Sequence, residues 1–232
     1  MNCHWSNVLF YDRIHLLLPQ LMVKEIVMSI FEFDSNPLIY ESRFYVTGLF
    51  NNYLPVICKF HNIHHTLNVV QFCHELGEHY RLTKTDMEKL LLAAWFHDTG
   101  YCLDIDNHEN ESVTVASTFL DSHNVTEKYM PSVKNLIFAT KRLEEPVTLA
   151  EQIICDADTQ HLGAENYFKW SMLLKEEFQL KNTQELSDKE WNHMNISFFN
   201  SHRYFTEYAQ RMWGEQKLKN LNQLKGESDY IN

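Results

Sequence analysis

Glycine and proline are scarce in this chain, six and five among 232 residues. Turn-rich β architectures use both freely, because tight turns need left-handed or pre-set backbone angles. Their scarcity argues against a β sandwich or barrel and for helices. There is no Cys-x-x-Cys pair, and the cysteines (Cys3, Cys58, Cys73, Cys102 and Cys155) number five, an odd count. A disulfide scaffold is therefore not expected, and reduced thiols in a cytoplasmic protein are the simplest expectation. A basic excess is also lacking: the formal net charge is -11. Domains that grip a nucleic-acid backbone usually carry the opposite sign, so no nucleic-acid partner is expected. The most apolar stretch, IHLLLPQLMVKEIVMSIF at 14–31, is broken by Pro19, Gln20, Lys24 and Glu25. It is too interrupted for a membrane span or a secretory signal, so no membrane partner is expected.

What is present points to a folded, helical chain. Hydrophobic residues make up 44%, enough for a packed core. Val69, Val70, Cys73, Leu76 and Tyr80 recur at helical spacing and predict a helix over 65–80. Thr83 or Thr85 can cap the next one, which runs through Leu90, Leu91, Ala94 and Trp95 and stops near Gly100. Further helices are expected over 109–122, over 131–142 with Pro131 in the first turn, and over 147–161, 164–180, 188–201 and 204–225. Towards the N-terminus a helix over 20–33 and a turn at Asn36-Pro37 are expected. No segment sustains a period of two, so the fold class is all-α. Residues 1–55 are expected to form a helical extension packed on the core, and 56–232 the main domain.

Four short segments carry candidate chemistry: FHNIHHTLNVV (60–70), WFHDTGY (95–101), HENES (108–112) and ICDADTQHLG (154–163). His97-Asp98 closes an apolar helix, where a polar pair is costly unless hydrogen-bonded, paired or bound to metal. His61 and His65 are four apart and share a helix face. Asp156 and Asp158 flank an alanine in an apolar stretch and diverge by about 200° on a helix, so one of them at most faces a given point. Two imidazoles and two carboxylates from three helices would make a mixed nitrogen and oxygen site. It suits Mn, Fe, Co, Ni or Zn better than Ca, with Mg a further alternative. Four protein ligands on a six-coordinate ion leave two positions for water or substrate oxygen.

The order His, then His-Asp, then Asp resembles the HD superfamily of metal-dependent phosphohydrolases over about residues 60–163. FHNIHHTLNVVQ also resembles the Tyr-His-Asn-x-x-His signature of class I cyclic-nucleotide phosphodiesterases, distant relatives in which Tyr stands where this chain has Phe60. Thr-Gly-Tyr follows His97-Asp98 in place of the later His of that class, and no glutamine pocket for a base can be located. Stand-alone bacterial HD hydrolases are more similar over the DAD and HE segments. The resemblance implies an HD-type helical bundle with additional N- and C-terminal helices. It implies one or two divalent ions held by His65, His97, Asp98 and Asp158, with Asp98 able to bridge two, and it selects Asp158 over Asp156 because the last ligand follows an alanine.

The reaction so implied is hydrolysis of a phosphate ester by metal-activated water, with a nucleotide or other small phosphorylated metabolite as substrate. His61 would pass a proton to the leaving oxygen. Lys141 would hold a substrate phosphate or stand solvated at a helix end. Glu111 would orient water or a second metal, and His108 would ligate that metal, or both would be solvated first-turn residues. His202 would reach the pocket or lie elsewhere. Two alternatives remain: a di-iron HD-type oxygenase, and a non-catalytic nucleotide-binding module. A homodimer also stays open.

Overall fold

The structure is a computed structural model that describes residues 36–141 and 145–230. It divides into two compact units, Met1–Glu41 and Ser42–Asn232. Of the first, residues 36–41 are described; there the side chain of Asn36 accepts the Leu38 amide at 2.9 Å. The expected turn at Asn36-Pro37 is thus the start of a helix, α1 (Pro37–Tyr53). The expected helix over 20–33 lies outside the described residues.

The second unit holds the rest of the chain as helices: α2 (Ile63–His79), α3 (Lys84–Phe96), a 3-10 turn (Thr99–Cys102), α4 (His108–Ser122), α5 (Thr126–Ala139), α6 (Leu149–Asp158), a second 3-10 turn (Gln160–Gly163), α7 (Tyr167–Asn182), α8 (Asp188–Ser201) and α9 (Glu207–Tyr230). No strand occurs among the described residues, so the fold is all-α as expected.

α3 is the hub. It packs against α2, α4, α5 and α6, and all seven residues from Leu90 to Phe96 are buried. A helix apolar on every side is what a central position requires. Its start is fixed by Thr83, whose side chain accepts the Asp86 amide at 3.2 Å. α6 carries a full capping box, with Thr148 and Glu151 each bonding the other's backbone. α8 repeats the device with Ser187 and Glu190. Each such cap is worth about 1 kcal/mol.

α5 departs from expectation: it begins at Thr126, and Pro131 lies inside it. Proline removes the bond to the carbonyl four residues earlier, and its ring crowds that carbonyl. That carbonyl belongs to the exposed residue Glu127, where water can take the missing donor's place, so the helix passes through Pro131. The expected 147–161 helix ends at Asp158 and tightens into a 3-10 turn.

A second core joins α7, α8 and α9 through Leu162, Tyr167, Phe199 and Leu224. Its buried polar groups are paired. Tyr167 donates to Asn195 at 2.7 Å and the Trp191 indole to Ser171 at 2.9 Å. Asn220 donates to the carbonyls of Leu162 and Ala164, both at 2.9 Å. A Cβ at Gly163 would lie 2.6 Å from the Trp213 backbone oxygen. α9 is therefore pressed onto the turn that follows Asp158.

Candidate metal centre

Three elements bring the predicted ligands together. His65 sits in the first turn of α2 and is buried. His97 and Asp98 end α3, exposed by only 1% and 4%. Asp158 closes α6. The His97 Nδ1 donates to the Ala94 carbonyl at 2.9 Å, which leaves its Nε2 facing the cluster. That Nε2 lies 3.4 Å from His65 Nε2 and 3.1 Å from Asp98 Oδ2. His65 Nε2 lies 3.5 Å from Asp98 Oδ2 and 2.9 Å from Asp158 Oδ1. Asp158 Oδ1 is 3.7 Å from His97 Nε2. One donor atom each from His65, His97 and Asp98 falls within 4.8 Å of the others, the spacing of a metal-binding group.

Electrostatics point the same way. Asp98 Oδ2 is buried and makes no well-formed hydrogen bond, its near neighbour being His97 Nε2 at 3.1 Å. Such a carboxylate oxygen is costly unless a cation meets it. Burial pushes Asp98 and Asp158 up, but the neighbouring histidines outweigh it and hold both carboxyls below their ordinary range. Burial pushes His97 down, yet the Asp98 and Asp158 carboxylates lift it well above its ordinary value. The centre draws positive charge inward, and the residues present fit a divalent ion with mixed nitrogen and oxygen ligands.

The loop after His97-Asp98 is locked from α4. The Ser112 hydroxyl donates to the His97 carbonyl at 2.6 Å and accepts the Gly100 amide at 2.8 Å. A Cβ at Gly100 would lie 1.9 Å from the His108 carbonyl oxygen. Gly100 was expected as a helix stop, and no described glycine has a positive φ. It is required for close approach.

Asp156 points away from the cluster. Its two oxygens accept the Phe205 and Thr206 amides at 2.7 and 2.8 Å, just ahead of α9. Burial holds its pKa above the ordinary value despite those bonds. The two carboxylates flanking Ala157 diverge, as the helical angle requires.

His61 stands beside the centre, its ring stacked on Tyr101 at 4.4 Å and 5.9 Å from the ring of His65. Its Nδ1 makes a short hydrogen bond to Glu177, which also accepts the Phe60 and His61 amides at 2.9 and 3.1 Å. Burial lowers the His61 pKa, but Glu177, Asp98 and Asp158 raise it by more, so the net shift is upward. Burial raises Glu177, and its bonds to His61 bring it below the usual carboxylate range.

The other candidates lie further out. His108 packs against Tyr101 at 4.2 Å, with its ring 6.5 Å from that of His61. Glu111 is half-buried in the first turn of α4. Lys141 is exposed just past the C-cap of α5, and no described contact joins it to the cluster. His202 bonds the Thr159 hydroxyl at 2.9 Å, behind the turn that follows Asp158. Burial, with help from Lys217, lowers its pKa to about 3.

Glu177 was not foreseen. It sits in a run of lysines and glutamates that reads as a solvated face, and only its spacing of seven from Trp170 hints at an inward position. Phe60 was noted only as a departure from tyrosine. Its buried ring touches His61, His65, His161 and Trp170 at 4.7–5.8 Å and forms the apolar wall of the centre.

Residues 62–162 match the family model described as HD domain. Neither the curated proteins nor the solved structures gave a significant match.

Proposed function

With residues 62–162 an HD domain, we propose that the chain is a metal-dependent phosphohydrolase acting on a small phosphate ester, a nucleotide or a similar metabolite. The observation that carries this reading is the buried Asp98 Oδ2 gathered with the Nε2 atoms of His65 and His97. His65, His97 and Asp98 would hold the ion, with Asp158 as the fourth ligand. A divalent ion bound there polarises a phosphoryl oxygen and activates a water for attack on phosphorus.

The chain's own groups supply the rest. Glu177 holds His61 by its Nδ1 and keeps it protonated. The free Nε2–H of His61 then gives its proton to the oxygen that leaves phosphorus as the P–O bond breaks. Tyr101 stacks on one face of the imidazole and limits water there. Phe60 backs both His61 and His65, which keeps their field undiluted. The exposure of Lys141 favours its solvated reading, so no phosphate contact is assigned to it.

The test is phosphate release from an aryl phosphate and from nucleoside monophosphates by the full chain loaded in turn with Mn, Fe, Co, Ni, Zn or Mg. Hydrolysis that needs the ion and disappears in Asp98→Ala is expected. A metal-loaded protein that releases no phosphate from any ester would sink the proposal.

A further inference from the structure

Where α3 ends, its last carbonyls no longer find amides one turn ahead and need other donors. Three are met within the segment itself. The Ala94 carbonyl accepts the His97 Nδ1 at 2.9 Å, the Phe96 carbonyl the Thr99 hydroxyl at 2.7 Å, and the Asp98 carbonyl the Tyr101 amide at 3.1 Å. The His97 carbonyl is met from another helix, by the Ser112 hydroxyl of α4 at 2.6 Å. The same hydroxyl oxygen accepts the Gly100 amide at 2.8 Å. One side chain therefore bonds the backbone on both sides of Asp98.

Ser112 is fully buried, so water does not compete for these two bonds. The backbones it joins are in direct approach: a Cβ on Gly100 would lie 2.8 Å from the Ser112 amide nitrogen. Asp98 Oδ2 has no comparable hold. It stands 3.1 Å from His97 Nε2 and 3.5 Å from His65 Nε2, and it makes no well-formed hydrogen bond. A carboxylate that ligates a metal is ordinarily aimed by hydrogen bonds from the groups around it. Here the aim of Oδ2 comes from the backbone that carries it, and Ser112 fixes that backbone.

We propose that Ser112 is a positioning residue of the metal centre, which sets Asp98 for the ion from α4 without touching the ion itself. The coupling runs both ways. If the Ser112 bonds favour the arrangement that takes up metal, bound metal favours those bonds by the same factor. The start of α4 is then part of the centre in energy, although none of its side chains is among the ligands. The proposal rests on the metal centre of the phosphohydrolase reading and not on the ester that is hydrolysed.

The test is titration calorimetry of the metal-free full chain with zinc, and the visible absorption of its cobalt form, for the wild type, Ser112→Ala, Ser112→Thr and Asp156→Ala, each well below its own Tm. Ser112→Ala should bind zinc about tenfold or more weakly and shift the cobalt bands, which report ligand geometry. Ser112→Thr keeps the hydroxyl and should recover most of the affinity. Asp156→Ala also strands two buried amides, away from the ligands, and serves as the structural control: it should lose stability and keep the wild-type affinity. Wild-type affinity in Ser112→Ala, or an equal loss in Asp156→Ala, would overturn the proposal and leave the phosphohydrolase reading standing. The expected affinities with no hydrolysis of any ester would do the reverse. A wild type that binds neither ion would remove both. If Ser112→Ala does not fold, hydrogen exchange of the Gly100 amide in the wild type decides. Zinc should slow it about tenfold or more, and an unchanged rate would overturn the proposal.

Discussion

At the scale of single residues, the site depends on side chains that hold other side chains. Glu177 is the main case. It fixes the His61 ring through Nδ1 and raises its pKa against the pull of burial. A group whose pKa is raised keeps its proton until the pH climbs past that raised value, so the alkaline limb of the rate profile should lie above the ordinary 6.5 of a histidine. Glu177→Gln removes the charge, and burial then pulls the pKa down. The alkaline limb should shift to lower pH and the rate near neutrality should fall about 100-fold. Metal content should stay the same. An unchanged pH profile, or loss of the metal, would show that Glu177 does not act through His61.

The same scale shows where sequence reading reaches its limit. That His65, His97, Asp98 and Asp158 gather at one place was legible mainly because their order resembles a known family; helix position singled out only the His97-Asp98 pair, and it left Asp156 and Asp158 undivided. Glu177 was not legible: beside Glu176, nothing in composition separates a buried carboxylate from a solvated one. A cleft lined by His65, Asn68, Gln160 and Trp170 was not legible either, because it exists only after α2, α6 and α7 have packed.

At the scale of elements, the helices themselves were readable from periodicity and caps. Thr83 starts α3, and the expected α8 span of 188–201 is the span observed. The miss at Pro131 has a physical cause: proline is tolerated beyond the first turn where the carbonyl it orphans faces water. The joints between elements were not readable, since they rest on contacts distant in sequence. Asp156 is one. It accepts two amides fifty residues away and fastens the start of α9. Asp156→Ala should cost about 2–4 kcal/mol in urea unfolding, because it strands two amide donors, while leaving metal content near wild type. Loss of the metal with stability intact would instead make Asp156 a ligand. Gly100 is another joint. Gly100→Ala drives a Cβ into the first turn of α4, and a fall of several degrees in Tm with weakened metal binding is expected. A variant as stable as the wild type would contradict that close approach.

At the scale of the whole molecule, acidity and buried histidines set the response to pH. The chain carries a formal charge of -11, and a divalent ion in the centre offsets part of it. His202 is held neutral by burial, with its pKa near 3. An unfolded chain takes up that proton near 6.5, so the unfolded state binds more protons below this value. The contribution is fully present above 6.5 and is lost as pH falls towards 3. The wild type should therefore lose Tm more steeply between pH 7 and pH 5 than His202→Gln, with ligand protonation common to both. Parallel slopes would remove His202 from the account.

The central claim is that His65, His97, Asp98 and Asp158 hold a divalent metal. The most direct test is elemental analysis of the full chain, purified without chelator or added metal, beside Asp98→Ala. One or two equivalents of a transition metal in the wild type, lost in the variant, is the predicted result. No metal in either protein, and none taken up from Mn, Fe, Co, Ni or Zn, would contradict it.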